Sequence, residues 1–261
     1  MTTKTILITG ATDGIGFEAA KTLAADGHRV LLHGRNAEKL AKAEAAIGAA
    51  GSYLADLASL EAATALGAAV AADHPALDVL INNAGVLKPG ARTADGFDNR
   101  FAVNAFAPFL LTHALKAALG PQSRVVNLSS AAQRPVEIAA LKGEKTLSDM
   151  DAYAQSKLAL TMWSRRAGLA AQAGGPLYVA VNPGSLLATK MVKTGFGVDG
   201  SDIRIGADIL VRAAVHDSFA GAQGAYFDND ERRFADPHHD ALDDAKCDAV
   251  VAAIKAAVGR A

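Results

Sequence analysis

The stretch Thr9-Gly10-Ala11-Thr12-Asp13-Gly14-Ile15-Gly16 stands between two segments of different hydrophobic pattern. Before it, residues 5–9 form a short apolar run typical of a buried strand. After it, an alanine-rich segment repeats its larger apolar residues at helical spacing. The order of strand, glycine-rich turn and helix predicts the first half of a βαβ unit, which is the building block of parallel α/β folds.

The three glycines of this turn suit the binding of a dinucleotide. Gly10 permits a tight turn, Gly14 lets the backbone approach a pyrophosphate, and Gly16 lets the helix pack closely on the strand. The helix N-terminus would offer unpaired N–H groups and the positive end of its dipole to the phosphates. We predict a dinucleotide site here, and the alternative is an ordinary turn between a strand and a helix.

The alternation of strand and helix continues almost to the C-terminus. Several predicted strands are apolar without alternation, as in sheets that helices cover on both faces. Right-handed crossovers then give a doubly wound sheet. We predict one α/β domain of the Rossmann type over residues 1–261, with a mostly parallel seven-stranded sheet. The predicted strands are residues 5–9, 29–33, 51–54, 79–82, 124–128, 178–182 and 225–227.

Charge and composition exclude several classes of partner. The 26 basic and 27 acidic residues give a formal net charge of −1, so nothing attracts nucleic acid over long range. No run reaches ~18 uninterrupted apolar residues, so no membrane span or membrane partner is expected. The single cysteine, Cys247, cannot close an intrachain disulfide, which favours a reducing cytoplasm. No histidines pair at helical spacing, so no metal site is expected.

The end of the second predicted strand indicates which dinucleotide binds. An acidic ribose ligand would stand about 20 residues beyond the glycines, but the sequence there is Gly34-Arg35-Asn36. A guanidinium binds a 2′-phosphate in bidentate fashion, whereas a carboxylate would repel it. Arg35 therefore favours NADP over NAD, with NAD still possible and a solvated arginine as the alternative.

Two further strand ends carry candidate cofactor contacts. The Asp56 carboxylate, next to Leu57, could accept a hydrogen bond from the adenine amine, and a helix N-cap is its competing role. The sequence Asn82-Asn83-Ala84-Gly85 supplies amides that can tie strand ends and a glycine that leaves room for a ribose. Asparagine and glycine are also ordinary turn formers, so both interpretations stay open.

The strongest chemical signal is Tyr153 four residues before Lys157 on a predicted helix. This spacing places phenol and ammonium on one face, where the cation would lower the phenol pKa toward the range of proton transfer. Such a pair alone is more often a surface pair. The preceding strand, however, ends in Ser129-Ser130, whose hydroxyl could polarise a carbonyl oxygen beside the phenol.

In these features the sequence resembles the short-chain dehydrogenases/reductases, and in more detail the retinol-dehydrogenase-like branch that includes the WW-domain oxidoreductase. The motifs that carry the resemblance run in family order along nearly the whole chain. They are the glycine turn, Asp56-Leu57, Asn83-Ala84-Gly85, Asn104, Ser130, Tyr153 with Lys157, and Pro183-Gly184 followed by Thr189. The branch resemblance rests on residues 95–97, 104–113 and 224–227 and on the long interval from Ser130 to Tyr153.

The resemblance implies a catalytic tetrad. Ser130, rather than Ser129, would hold the substrate oxygen, and Tyr153 would pass it a proton. Lys157 would bind the nicotinamide ribose and lower the phenol pKa, while Asn104 would hold a water that connects Lys157 to solvent. Thr189 and the backbone near Leu186 would meet the nicotinamide carboxamide. The complete set of expected cofactor contacts is Gly10, Thr12, Asp13, Gly14, Ile15, Gly16, Arg35, Asn36, Asp56, Leu57, Asn83, Ala84, Gly85, Tyr153, Lys157, Pro183, Gly184, Leu186 and Thr189.

The expected activity is transfer of a hydride between NADPH and an aldehyde, ketone or secondary alcohol. Animal members of the branch commonly carry an anchor or module ahead of the glycine turn, and none is read here, so a small or medium apolar substrate is expected rather than a retinoid. The resemblance also implies a homodimer or homotetramer. The alternatives are a regulator that senses NAD(P) without turnover and, third, a sugar-nucleotide epimerase.

The sequence also contains two irregular segments and three isolated features of interest. Residues 131–151 and 190–201 could be pocket walls or lids, and a surface insertion is an equal alternative for the first. His113 is expected to be a satisfied helix residue, and Cys247, near the C-terminal helix, to be a packing or surface residue. The charged run at residues 228–233 is interpreted as a solvated loop, with an oligomer or substrate contact as the weaker alternative.

Overall fold

The computed structural model describes residues 2–88, 92–171, 174–189, 193, 197 and 199–259. They form an α/β domain around one eight-stranded sheet with the strand order β3-β2-β1-β4-β5-β6-β7-β8. The strands are β1 Thr5–Ile8, β2 Arg29–Gly34, β3 Gly51–Leu54, β4 Val79–Asn82, β5 Arg124–Leu128, β6 Leu177–Asn182, β7 Ala225–Asp228 and β8 Arg233–Ala235. The doubly wound fold class is confirmed.

The predicted count of seven strands is wrong by one strand at the edge. Strands β1 to β7 are parallel, and β8 pairs antiparallel with β7 through Phe227 opposite Phe234. This strand has three residues and begins inside the charged run, so it carries no alternation by which the sequence could reveal it. The charged run is therefore the turn of a hairpin rather than an open loop.

Helices cover both faces of the sheet. They are α1 Gly14–Ala25, α2 Ala37–Ile47, α3 Leu60–Asp73, α4 Asn99–Phe101, α5 Ala107–Ala114, α6 Ile138–Leu141, α7 Asp149–Ala171, α8 Arg204–Val215 and α9 Asp244–Val258, with a π-helical turn at Ala102–Phe106 between α4 and α5. Single turns of 3₁₀ helix lie at Asp217–Phe219 and His239–Leu242. No helix in the described ranges is long and apolar enough to cross a bilayer.

The apolar strands explain why both faces are covered. In β1, Ile6 and Ile8 pack with α1 and α8 in one core cluster, whereas Leu7 points the other way into a cluster with α3 and α5. A third cluster joins α7 to α9 and the π-helical turn. Since successive side chains of a strand alternate between faces, an unbroken apolar run requires a helix layer on each side.

The structure describes the whole of the first irregular segment but only part of the second. Residues 131–148 contain α6, whose Ala140 and Leu141 are buried in the cluster with α7 and α9. The segment is therefore partly packed into the domain core. In the second segment, residues 190–192, 194–196 and 198, including Gly195, lie outside the described residues.

Candidate active site

The glycine turn follows β1 at the carboxyl edge of the sheet. Gly10 and Gly14 have φ values of +66° and +65°, which side chains rarely adopt. The Asp13 carboxylate accepts a hydrogen bond from the Gly14 N–H at 2.9 Å and caps α1. A Cβ on Gly16 would lie 2.3 Å from the Asn83 side-chain nitrogen and 2.7 Å from the Gly10 carbonyl oxygen, so the predicted close approach of helix and strand is present.

Asn83 ties this turn to the end of β4. Its side-chain amide donates to the carbonyl oxygens of Thr9, at 2.8 Å, and of Gly10, at 3.1 Å. The Thr9 hydroxyl in turn accepts hydrogen bonds from the backbone N–H groups of Asn83 and Ala84, both at 3.0 Å. The expected tie between strand ends is therefore present, and Thr9 contributes to it although the sequence did not single it out.

His33 is a second residue that sequence reasoning missed. Its ring is buried at the end of β2, where Nδ1 accepts a hydrogen bond from the Gly10 N–H at 3.2 Å and Nε2 lies 3.1 Å from the Ala55 carbonyl oxygen. Burial lowers the pKa of His33, so the neutral ring with a proton on Nε2 fits both contacts. A polar residue inside the apolar run of β2 was the available signal.

The predicted ribose and adenine contacts lie around the same turn. Arg35 is exposed directly after β2, and a Cβ on Gly34 would lie 2.4 Å from the Thr12 methyl group, so Thr12 packs against this strand end. Asn36 caps α2 by accepting the Lys39 N–H at 2.9 Å. Among the predicted contacts, Ile15 packs partly buried against the neighbouring core cluster.

Asp56 and Leu57 were expected to contact the cofactor, with a helix N-cap as the competing role of Asp56. The cap of α3 is Ser59, which accepts the Ala62 N–H at 3.1 Å, so the competing N-cap role for Asp56 is wrong. The Asp56 carboxylate accepts instead from the Ala58 N–H at 3.0 Å in a local turn. The Leu57 side chain is buried in the core with α3 and α5, which leaves only its main chain to border a ligand.

The four predicted catalytic residues meet at the same edge of the sheet. The Ser130 hydroxyl lies close enough to Tyr153 to act on the pKa of its phenol, and the Lys157 Nζ atom lies 5.9 Å from the centroid of the Tyr153 ring. Lys157 Nζ also donates to the Leu128 carbonyl oxygen at 2.6 Å. A Cβ on Gly85 would lie 3.4 Å from both Lys157 Nζ and Asn104 Oδ1, so Gly85 keeps open the space that these two groups border.

Asn104 belongs to the π-helical turn and is fully buried. Its side-chain nitrogen donates to the Val86 carbonyl oxygen at 3.0 Å and to the Ser156 hydroxyl at 2.9 Å. Its Oδ1 accepts the Val86 N–H at 2.8 Å and keeps a second lone pair. Single π turns are frequent at functional sites, and this one fixes the amide beside the space under Gly85.

The structure separates the two serines at the end of β5. The Ser129 hydroxyl is buried and lies 2.6 Å from the Thr161 hydroxyl on α7. The Ser130 hydroxyl, by contrast, faces Tyr153 and accepts the Ala132 N–H at 3.1 Å. This geometry favours Ser130 as the residue that meets a substrate oxygen.

Burial governs the ionisation of the Tyr153–Lys157 pair. It raises the pKa of Tyr153, against which the Ser130 contact works in the lowering direction. It lowers the pKa of Lys157 to about 8. The sequence suggested a phenol pKa lowered by Lys157, but the pKa is raised instead, because loss of solvent outweighs the Ser130 contact.

The segment after β6 completes the edge. Leu186 has a positive φ of +50° and is half exposed, while Leu187 pairs with Ser201 in an isolated bridge. The Thr189 N–H donates to the Leu187 carbonyl oxygen at 2.6 Å. Pro183 and Gly184 precede this curved segment at the strand end, so the main chain of residues 183–189 lines the predicted nicotinamide side of the site.

The remaining features considered from the sequence are His113, Cys247 and the histidines as metal ligands. His113 Nδ1 contacts the Phe109 carbonyl oxygen at 2.9 Å within its helix, and Cys247 is buried with its pKa raised to about 11 by burial. The side-chain ligand atoms of His238, His239 and Asp240 lie within 4.8 Å of one another. The Lys246 ammonium, however, is paired with Asp240 and would repel a cation there.

Comparison with known proteins identifies the family. Residues 4–196 match the family described as short chain dehydrogenase. The chain belongs to the short-chain dehydrogenases. The residues matched include the glycine turn and all four converging side chains, so the family and the site geometry concern the same part of the molecule.

Relatives of this short-chain dehydrogenase lie in the expected branch. Retinol dehydrogenase 12 of Bos taurus is 36% identical over 204 residues, 74% of this chain and 64% of that protein, which is less than two thirds of its length. Its Homo sapiens counterpart is 32% identical over 254 residues, 90% of this chain and 80% of that protein. The resemblance to the retinol dehydrogenase branch is thus confirmed.

A solved structure extends the comparison to the fold. A short chain dehydrogenase from Shigella flexneri, crystallised in complex with NADP, superposes with a TM-score of 0.69 and 28% sequence identity. The match covers 87% of this chain and 97% of that one. The two proteins therefore share the arrangement of sheet and helices.

Proposed function

We propose that this short-chain dehydrogenase is an NADPH-preferring carbonyl reductase that also runs as an alcohol dehydrogenase in reverse. The observation that carries the proposal is the contact of the Ser130 hydroxyl with Tyr153 beside a buried Lys157. These groups lie at the carboxyl ends of parallel strands, where open α/β sheets bind their ligands. The proposed substrates are small or medium apolar aldehydes, ketones and secondary alcohols.

The residues at this edge suit NADP. The close packing at Gly16 and the capped N-terminus of α1 leave backbone as the surface that a pyrophosphate would meet. Arg35 is exposed directly after β2, where it could hold a 2′-phosphate. Lys157, Asn104 and the open space at Gly85 would border the nicotinamide ribose. The Shigella flexneri neighbour, solved with NADP, supports the same choice.

The chain's own groups account for the proton chemistry. Tyr153 would donate its hydroxyl proton to the substrate's carbonyl oxygen, while the Ser130 hydroxyl hydrogen-bonds that oxygen. Bound NADPH supplies the hydride that the carbonyl carbon accepts. Because burial raises the pKa of Tyr153, the phenol carries its proton near neutral pH, and stabilisation of the phenolate by the Lys157 ammonium would favour transfer of that proton. Lys157, with a pKa of about 8, can return a proton to the phenolate or stabilise it.

Absorbance of the nicotinamide, followed with a panel of aldehydes, ketones and secondary alcohols, tests the activity. The relatives named as retinol dehydrogenases make all-trans-retinal a necessary member of the panel. We expect NADPH-dependent reduction of several apolar carbonyl compounds. Binding of NADPH without turnover of any compound would favour the sensing regulator, and conversion of sugar nucleotides would favour the epimerase.

Substitution of Tyr153 by Phe tests the assignment of the proton donor. We expect turnover to fall by at least ~100-fold, since general acid catalysis contributes at least this much, while the NADPH dissociation constant stays within about twofold because the aromatic ring remains. Activity near the wild-type level would contradict the assignment. Tyr178→Phe, on β6, is the matched control.

The cytoplasmic location and the homodimer or homotetramer stay predictions.

A further inference from the structure

The turn between β7 and β8 holds the strand end that borders the nicotinamide side of the site. The Asp230 carboxylate accepts hydrogen bonds from the Ser185 N–H at 2.8 Å, the Ser185 hydroxyl at 2.7 Å and the Asn182 side-chain amide at 2.9 Å. Asp230 lies at the surface, and its three donors belong to the last residue of β6 and to the segment that follows this strand. Three donors on one carboxylate give that segment a defined position.

A second residue of the same turn strengthens the connection. The Asn229 side-chain amide donates to the Pro183 carbonyl oxygen at 2.9 Å and to the Ile205 carbonyl oxygen at 3.3 Å. The Asn182 amide also donates to Asp228 at 3.0 Å. The turn therefore contacts both the backbone and the side chains of residues 182–185, directly before the left-handed backbone of Leu186.

The strand that leads into this turn contacts the catalytic serine. The hydroxyl of Tyr226, a buried residue of β7, donates to the Ser130 carbonyl oxygen at 3.2 Å. The Gln133 side-chain amide donates to the same oxygen at 2.9 Å. One hairpin thus contacts the main chain of Ser130 through Tyr226 and the main chain of Ser185 through Asp230.

We propose that the β7–β8 hairpin is a positioning element, in which Asp230 fixes residues 183–186 against the nicotinamide and Tyr226 fixes Ser130 against the substrate oxygen. Both reacting partners are then held from a single rigid unit. Burial tends to raise the pKa of the Asp230 carboxyl, but the hydrogen bonds from Ser185 and Asn182 bring it below its usual value. The carboxylate is therefore ionised, as the three donors require, at every pH at which the enzyme would be assayed.

Loss of this positioning should lower the reaction rate more than it lowers the affinity for the whole cofactor. A displacement of about 1 Å between reacting groups can cost ~100-fold in rate. The adenine half of the cofactor would bind at β1 to β3, on the other side of the sheet order from β7 and β8. Loss of Asp230 should accordingly affect the nicotinamide end and leave the adenine end intact.

The test compares Asp230→Ala with Glu231→Ala. Glu231 lies in the same turn, and its carboxylate pairs with the exposed Arg233 side chain. We expect Asp230→Ala to lower kcat per NADPH-binding site by about tenfold or more and to weaken NADPH binding severalfold. The dissociation constant of 2′,5′-ADP, which lacks the nicotinamide half, should stay within about twofold of wild type. Glu231→Ala should match wild type in all three measurements.

A purely structural role would produce a different pattern. If Asp230→Ala weakens NADPH and 2′,5′-ADP equally, or keeps kcat per binding site within about twofold of Glu231→Ala, the proposal is wrong. Should Asp230→Ala fail to fold, Tyr226→Phe keeps the aromatic packing and removes only the contact with Ser130. It should lower kcat severalfold, since Gln133 still holds the same oxygen, and an unchanged kcat would equally overturn the proposal.

This inference rests on the proposed function for its kinetic measurements, but its physical content can be tested without turnover. Amide hydrogen exchange of Gly184 and Ser185 in the cofactor-free protein should accelerate in Asp230→Ala and stay unchanged in Glu231→Ala. Absence of turnover by the wild type would overturn the carbonyl reductase proposal alone. Equal exchange in the two variants would overturn the hairpin proposal alone.

Discussion

Replacement of Lys157 by Met should raise the free energy of unfolding relative to the wild type more at neutral pH than at pH 10.5, and it should remove activity. Lys157 is buried, with 3% of its surface exposed. Its Nζ donates to the Leu128 carbonyl oxygen, and loss of solvent is the cause of its lowered pKa. Methionine has a similar length and no charge, so the variant removes the cost of burying the ammonium.

The magnitude follows from the pKa. Burial lowers it from 10.5 to about 8, and each pKa unit corresponds to ~1.4 kcal/mol. The buried ammonium therefore costs the folded state about 3 kcal/mol at pH 7. Because the folded pKa lies below the unfolded one, the unfolded chain binds more protons between pH 8 and 10.5. The wild type must gain this stability as the pH rises through that window.

The assay is urea unfolding of the wild type and Lys157→Met at intervals from pH 7 to 10.5. The wild-type free energy of unfolding should rise relative to the variant by about 3 kcal/mol across the window. Loss of the Leu128 hydrogen bond adds an offset that does not depend on pH. Lys116→Met, which removes an exposed lysine, controls for net charge and should give no such rise. Parallel curves for the wild type and Lys157→Met would refute the reasoning.

Two further predictions concern the cofactor edge. His33→Leu should destabilise the protein by about 2–4 kcal/mol, because it leaves the Gly10 N–H and the Ala55 carbonyl unpaired. Burial lowers the pKa of His33 from 6.5, so the wild type should lose stability as the pH falls below 6.5. Urea unfolding of both proteins measures this loss. An equal loss of stability in His33→Leu would contradict the prediction. Arg35→Asp should shift the ratio of kcat/KM from NADPH toward NADH by about tenfold or more. Arg29→Asp, at the other end of β2, should leave that ratio unchanged, and the same result for Arg35→Asp would exclude Arg35 from the site.

The parallel part of the fold was predictable because each strand carries its own signal. The predicted strands at residues 51–54, 79–82 and 124–128 agree with β3, β4 and β5 as observed, and the other four agree to within one residue at each end. Most of these strands are apolar on both faces, with β3 as the exception, and a turn-forming residue or a helix start follows each of them. Strand β8 has no such signal, since its pairing depends on the hairpin geometry of residues 229–232 and on the packing of Phe234 against Phe227.

The chemistry-bearing residues were predictable for a different reason. Tyr153, Lys157 and Ser130 belong to motifs whose spacing is local or follows a strand end, and the topology brings such ends to one edge. His33, Tyr226 and Asp230 were missed because their partners lie 22 to 96 residues away along the chain. Only the alignment of strands, which sequence spacing does not give, creates those contacts.

The distribution of polar contacts explains why Lys157 carries much of the free-energy cost of burying polar groups at the site. At the cofactor edge, Thr9, His33 and Asn83 each find donors or acceptors on neighbouring strands, so their burial is compensated. At the substrate edge, Asp230 meets three donors and Asn104 uses both its amide groups. Lys157 has one carbonyl partner and no counterion among the described residues that offsets its burial. The uncompensated burial at this site therefore falls on the Lys157 ammonium beside the Tyr153 ring.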